Sequence, residues 1–159
     1  MDTEDVVVKE VAPVRVAELS GVAAGYETAA IGPVIQPLYP ELMRRLAVAG
    51  VTPTGPGIAY YVPVAEGEEI TVHAGVQVAA DPRPEHDFDV VDLPAIERVA
   101  AIIHRGPMDY VERSIQTLAQ WIEENGYRTD GHAREVYLDY CPDDLENSVT
   151  EIQLTITKA

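Results

Sequence analysis

The sequence predicts an α+β fold: two similar β-α-β-β units forming one pseudo-twofold domain, with an antiparallel sheet and both main helices on one face. Three observations predict it. Apolar residues recur at helical spacing in two separated stretches, and Val-rich runs that alternate with period two flank each stretch. Landmarks also recur at one offset: a helix ends in Gly, a second Gly follows five residues later, and a Tyr six after that, as Gly50, Gly55, Tyr61 and again as Gly126, Gly131, Tyr137. Each half opens on a strand interrupted by a proline, Pro13 or Pro94. Duplication of one unit accounts for this set.

The elements follow in order. Val6 to about Leu19 reads as a strand that Pro13 breaks, because proline cannot donate to a ladder. After a Gly-flanked stretch from Gly21 to Gly32, Ile35, Leu38, Tyr39, Leu42, Met43 and Leu46 define the first helix, ended by Gly50. Residues 52–57 read as a loop, Ile58–Val64 and Ile70–Ala79 as a hairpin around the acidic turn Glu66–Glu69. Asp81–Asp87 reads as a linker, which gives a single domain over residues 1–159 with repeat halves 6–80 and 88–159. Phe88–Arg105 is a strand broken at Pro94, and Gly106-Pro107 opens a helix through Val111, Ile115, Leu118, Trp121 and Ile122 to Asn125-Gly126. Arg134–Tyr140 and Val149–Thr157 form the closing hairpin.

At 159 residues the chain can bury a full core, and 47% apolar with 24% charged residues is an ordinary globular composition. With 27 Asp+Glu against 11 Lys+Arg, the formal charge of -16 repels phosphate backbones, so direct nucleic-acid binding is not expected. One cysteine, Cys141, excludes an internal disulfide and a Cys-cluster zinc site. Four histidines, at 73, 86, 104 and 132, never fall at the spacing of a helical metal pair, so neither metal nor cofactor is expected. The N-terminus lacks the features of a signal peptide and no apolar run is long enough for a membrane span, which leads us to expect a cytoplasmic protein with no membrane contact.

Strand alternation sorts the candidate site residues. Ile152, Leu154 and Ile156 form the face beneath the helices, which turns Glu151 and Gln153 the other way. Val136 and Leu138 are read as pointing to the helices, leaving Glu135 and Tyr137 with Glu151 on the opposite face. By the duplication, Tyr61 and the row Glu69, Thr71, His73 occupy the related positions. A groove between the halves, lined by Tyr rings over carboxylates, would suit an apolar, planar or cationic small molecule. The plainer alternative is a solvated sheet face; eight Tyr against one Phe weighs toward a half-wet binding surface. Trp121 reads first as core and second as a ligand platform. His104 reads as a strand-to-helix junction, and Cys141 has no basic neighbour to activate it.

In the second half, His104-Arg105-Gly106-Pro107, the run Leu118-Ala119-Gln120-Trp121-Ile122-Glu123-Glu124-Asn125-Gly126-Tyr127, then Arg134-Glu135-Val136-Tyr137-Leu138 and Val149-Thr150-Glu151-Ile152-Gln153 resemble the GyrI-like small-molecule-binding domain. That family is also known as the effector-binding domain of AraC- and MerR-type multidrug-responsive regulators. The resemblance is strong over about seventy residues, and it implies a tandem β-α-β-β fold whose cleft binds hydrophobic, often cationic compounds through aromatic rings and a partly buried Glu. Glu135 and Tyr137 match one family segment and Glu151 another, which leaves open which carboxylate is the deeper. Met108 stands where members commonly carry Tyr, which implies a looser entrance.

The resemblance to a regulator's ligand-binding part, with no room for a DNA-reading domain, implies a stand-alone member that senses or sequesters a drug or toxin. Ligand contacts are expected from Tyr61, His73, Glu135, Tyr137, Glu151 and Trp121. Two other roles are implied by stand-alone relatives. One is hydrolysis of cyclopropane-containing DNA-alkylating natural products, with Glu135, Glu151 and Tyr137 as candidate catalytic groups. The other is an acidic protein-interaction module such as a gyrase modulator. The sequence gives no oligomeric state.

Overall fold

The computed structural model describes residues 6–25, 27–64, 67–79, 88–107, 110–139 and 143–159. The linker at 81–87, His86, Met108 and Cys141 lie outside the described residues. The elements run β1 (Val7–Val11), β2 (Val14–Ala23), α1 (Thr28–Ala49), β3 (Pro53–Pro63), β4 (Ile70–Val78), β5 (Asp89–Leu93), β6 (Ile96–Arg105), α2 (Val111–Glu124), β7 (Tyr127–Asp139) and β8 (Val149–Lys158). This is an α+β fold whose strands pair antiparallel.

Two compact units are built from interleaved pieces of chain: unit I is Pro13–Pro94, and unit II combines the chain up to Ala12 with everything from Ala95 onward. In unit I the strand order is β3-β4-β2-β5, and in unit II it is β7-β8-β6-β1. Each order therefore consists of a β-α-β-β segment plus an edge strand from elsewhere in the chain. The two prolines mark the crossover points. β1 ends just before Ala12-Pro13 and pairs with β6, whereas β2 begins just after and pairs with β4 and β5. Likewise β5 pairs with β2, and β6, beyond Pro94, pairs with β1 and β8. A residue without an N–H ends a ladder, so each long extended run divides there.

Helix α1 begins seven residues earlier than the apolar period suggests, at Thr28 and not Ile35, and contains Pro33, Pro37 and Pro40. Interior prolines normally disrupt a helix by freeing the carbonyl one turn back. Here all three share the solvent face, where water can satisfy the freed carbonyls, while Leu42 and Leu46 on the other face are buried. Gly50 closes the helix in the left-handed region, at φ 72° and ψ 24°, and Gly126, at φ 80°, follows α2 in the same region. Both hairpins also begin earlier than expected. Pro53 already pairs with Val78, with an irregular register up to Gly57, and Tyr127 already pairs with Lys158.

Each helix lies on one face of its unit's strands. In unit I, Leu42 and Leu46 pack with Ala17, Val76, Val78 and Phe88. In unit II, Val111, Leu118 and Ile122 pack on Ala100, Ile102, Ile152 and Ile156. His104 ties β6 to α2. Its Nε2 lies 2.9 Å from the Pro107 carbonyl, which can only accept, so Nε2–H donates and Nδ1, 2.8 Å away, accepts from the Ser114 hydroxyl. Among the described residues, no helix is long and apolar enough to cross a membrane.

Leu118 is fully buried whereas Met43 is 44% exposed. Leu118→Ala should lower the unfolding free energy in urea by about 2–5 kcal/mol, and Met43→Ala by no more than about 0.5 kcal/mol; similar losses would contradict this placement of the core. On α1, Arg44 and Arg45 donate to the Glu41 carboxylate and pull it down from 4.5 to about 2. A depressed folded-state value stabilises the fold above the unfolded value, and this contribution is lost as the pH falls through about 2. NMR titration should find Glu41 still ionised at about pH 3, and Arg44→Gln with Arg45→Gln should return it to the ordinary range.

Candidate functional site

Cross-strand register decides which side chains share a face. In unit II, β7 and β8 pair Glu135 with Ile152, Tyr137 with Thr150 and Val136 with Glu151. Ile152 packs against α2, so Glu135 and Tyr137 stand on the helix-bearing face. The expectation from alternation, that they face away from the helices while Val136 and Leu138 point inward, is corrected. The apolar pair misleads because Leu138 is 48% exposed at the strand end and the face away from α2 is itself half-buried. Tyr61 needs the same correction. It pairs with Val72, and Val72 pairs with Gly21, where a Cβ would meet Val34 Cγ1 of α1 at 2.9 Å; Tyr61 is therefore on the helix side of unit I, away from His73 and Thr71.

On the helix side of unit II, Glu135 is only 7% exposed and accepts a hydrogen bond from the Tyr137 hydroxyl at 3.1 Å. This is a carboxylate beside a phenol, on a strand whose neighbour presents Ile152. Tyr61, 5% exposed, has the corresponding helix-side position in unit I. Trp121, on α2, stacks with Tyr127 at 6.1 Å and packs against the core, and the Arg98 guanidinium sits 5.8 Å from the Tyr127 ring centre. Its main role in this structure is therefore packing.

Away from the helices, Glu151 in unit II accepts from Lys9 Nζ at 2.8 Å and from Gln153 Nε2 at 2.6 Å. The lysine is 41% exposed, so this ion pair contributes little, about 0–1 kcal/mol. Of the two glutamates that sequence left open, Glu135 is the more deeply buried, at 7% exposed, and lies opposite the core residue Ile152. Glu69 is an exposed turn residue whose carbonyl accepts from the Val64 N–H.

Unit I carries a second polar cluster that the sequence reading missed apart from His73. Glu18 on β2 is 3% exposed. Its Oε1 accepts from the Tyr60 hydroxyl and its Oε2 from His73 Nδ1, each at 2.5 Å. The Tyr60 and His73 rings stack at 4.2 Å between centroids and 3° between planes. Register explains the cluster: His73 is opposite both Ser20 and Tyr60, and Glu18, two residues from Ser20, reaches it diagonally. A carboxylate in phase with the fully buried Val16 was the available signal. Among the described residues, no three His, Cys, Asp or Glu side chains converge to hold a metal ion.

A model of the GyrI-like small molecule binding domain matches residues 4–157. The chain belongs to the GyrI-like family. Solved structures share the fold of this GyrI-like domain. The EcmrR C-terminal domain is 24% identical, with 98% of this chain and 99% of that one covered and a TM-score of 0.76. SAV2435 bound to tetraphenylphosphonium is 11% identical, with 96% and 94% covered and a TM-score of 0.70. A hydrolase encoded by lin2189 from Listeria innocua is 12% identical, with 97% and 92% covered and a TM-score of 0.60. No curated protein matches the sequence.

Within the GyrI-like domain, Tyr60 supplies one of the two hydrogen bonds that satisfy the buried Glu18 carboxylate. Tyr60→Phe leaves an acceptor oxygen without its donor and should cost about 1–3 kcal/mol of stability in urea unfolding. A change below the error of the measurement would show that the phenol does not support the carboxylate.

Proposed function

We propose that this GyrI-like domain binds hydrophobic, planar or cationic small molecules, serving to sense or sequester a drug or toxin, with Glu135 and Tyr137 as principal contacts. The observation that carries the reading is the position of Glu135: a carboxylate 7% exposed, on the helix-bearing face opposite Ile152, with a phenol as hydrogen-bond donor. A carboxylate in such surroundings gains most from an organic cation that brings its own apolar surface, because the ligand supplies charge and excludes water together. Tyr137 offers a ring face to a hydrophobic ligand, and Trp121 packs α2 against the core of the same unit.

Family membership supports binding of a small molecule, and the tetraphenylphosphonium found with SAV2435 belongs to the ligand class proposed here. The Listeria innocua hydrolase shares the fold at 12% identity, which carries no activity across, so binding without turnover is the reading adopted. A role as an acidic protein-interaction module has only the net charge behind it.

Calorimetric titration with tetraphenylphosphonium tests the proposal. Saturable binding is expected, weakened about tenfold or more in Glu135→Gln, since a buried charge-assisted contact contributes about 1.5–3 kcal/mol. Tyr137→Ala should weaken it as well. Absence of binding at high micromolar concentration, or variants that match the wild type, would overturn the reading.

A further inference from the structure

On the helix-bearing face of unit II, Tyr137 is opposite Thr150 and Thr150 is opposite His104, so one row across three strands ends at a histidine only 4% exposed. The corresponding row of unit I is Tyr61, Val72 and Gly21. The helix meets the two rows differently. A Cβ at Gly21 would stand 2.9 Å from Val34 Cγ1, so α1 packs directly on the strand backbone. In unit II the His104 imidazole fills that position and stands between β6 and Ser114 of α2. The next row follows the same contrast: unit I has the fully buried pair Ala59 and Ala74 where unit II has Glu135 and Ile152.

The buried apolar residues of α2, Val111, Leu118 and Ile122, meet the sheet through hydrophobic contact, which is not directional. His104 adds directed bonds, at 2.8 Å to the Ser114 hydroxyl and at 2.9 Å to the Pro107 carbonyl that precedes the helix. A hydroxyl can donate or accept, so the tie to Ser114 does not depend on the charge of the ring. Neighbouring strands lie about 4.8 Å apart, which puts β6 about 10 Å from β7 and Tyr137. His104 therefore acts on Tyr137 through the helix that both lie beneath.

We propose that His104 is a positioning residue for the small-molecule site of unit II. Its ring is both spacer and tie: it holds the first turns of α2 off the sheet, where α1 in unit I rests on Gly21, and it fixes their height over Tyr137 and Glu135 through Ser114. Loss of the tie lets the helix settle or drift, and the ligand meets Glu135 and Tyr137 in a poorer arrangement. This role rests on the reading of Glu135 and Tyr137 as ligand contacts and adds a residue that itself touches neither of them.

Calorimetry with tetraphenylphosphonium, paired with urea unfolding, is made on the wild type, Ser114→Ala, His104→Ala, His104→Gln and Leu118→Ala. Ser114→Ala removes the tie and keeps the ring, and should weaken binding about threefold to tenfold. His104→Ala removes spacer and tie together and should weaken it further, while His104→Gln, which keeps a donor and an acceptor, should restore part of the loss. Leu118→Ala costs stability without touching the tie and should change the affinity by less than about twofold. In the ligand-free protein, the Tyr137 ring resonances should move in Ser114→Ala and stay in place in Leu118→Ala. Wild-type affinity in Ser114→Ala, an unmoved Tyr137 ring, or a loss in Leu118→Ala as large as that in His104→Ala would overturn the positioning role and leave the general reading intact. Absence of tetraphenylphosphonium binding by the wild type would overturn both. Should His104→Ala fail to fold, Ser114→Ala and His104→Gln decide the question.

Discussion

The pairing register of β4 and β8 is the constraint on which the chemistry of this chain depends. In an antiparallel ladder a residue and its cross-strand partner point to the same side, so each pairing places three strands' worth of side chains together. Ile152 packs against α2, and Glu135 is carried to that side with it. His73 points away from α1, and Tyr60 and Glu18 meet it there. A shift of one residue in either ladder would turn these side chains to the opposite face of the sheet.

The outcome is a fold with carboxylates held in places that charges normally avoid. Glu135 lies among core residues with a phenol, and Glu18 lies between a phenol and an imidazole. Glu151, by contrast, has the exposed Lys9 beside it, an arrangement found on many protein surfaces and one that asks nothing of a ligand. The deeper burial of Glu135 is why it, and not Glu151, is proposed as a binding residue.

Much of the architecture was legible in the sequence because it depends on local chemistry. Gly50 and Gly126 end helices in the left-handed region, and Pro13 and Pro94 divide extended runs at the points where the chain passes between units. The first turns of α1 were hidden by Pro33, Pro37 and Pro40, since propensity counts prolines without asking which way their freed carbonyls point. Register, being a property of two strands at once, was less accessible. Alternation within β7 suggested Val136 and Leu138 as the inward pair, and only the pairing of Glu135 with Ile152 reverses it. Glu18 reads as one charge in a Val-rich and Ala-rich strand, and only its phase with the fully buried Val16 marks it as buried.

A site governed by a buried carboxylate binds organic cations in preference to apolar molecules of the same shape. Tetraphenylphosphonium and tetraphenylborate have nearly the same shape and apolar surface and opposite charge, so their relative affinity isolates the charge contribution. Calorimetry under identical buffer and salt should find the cation bound and the anion bound more weakly by about a hundredfold or more, as expected for about 2.7 kcal/mol of charge discrimination in a partly desolvated site. Equal affinities for the two ions would contradict the account, since apolar contact alone would then explain the binding.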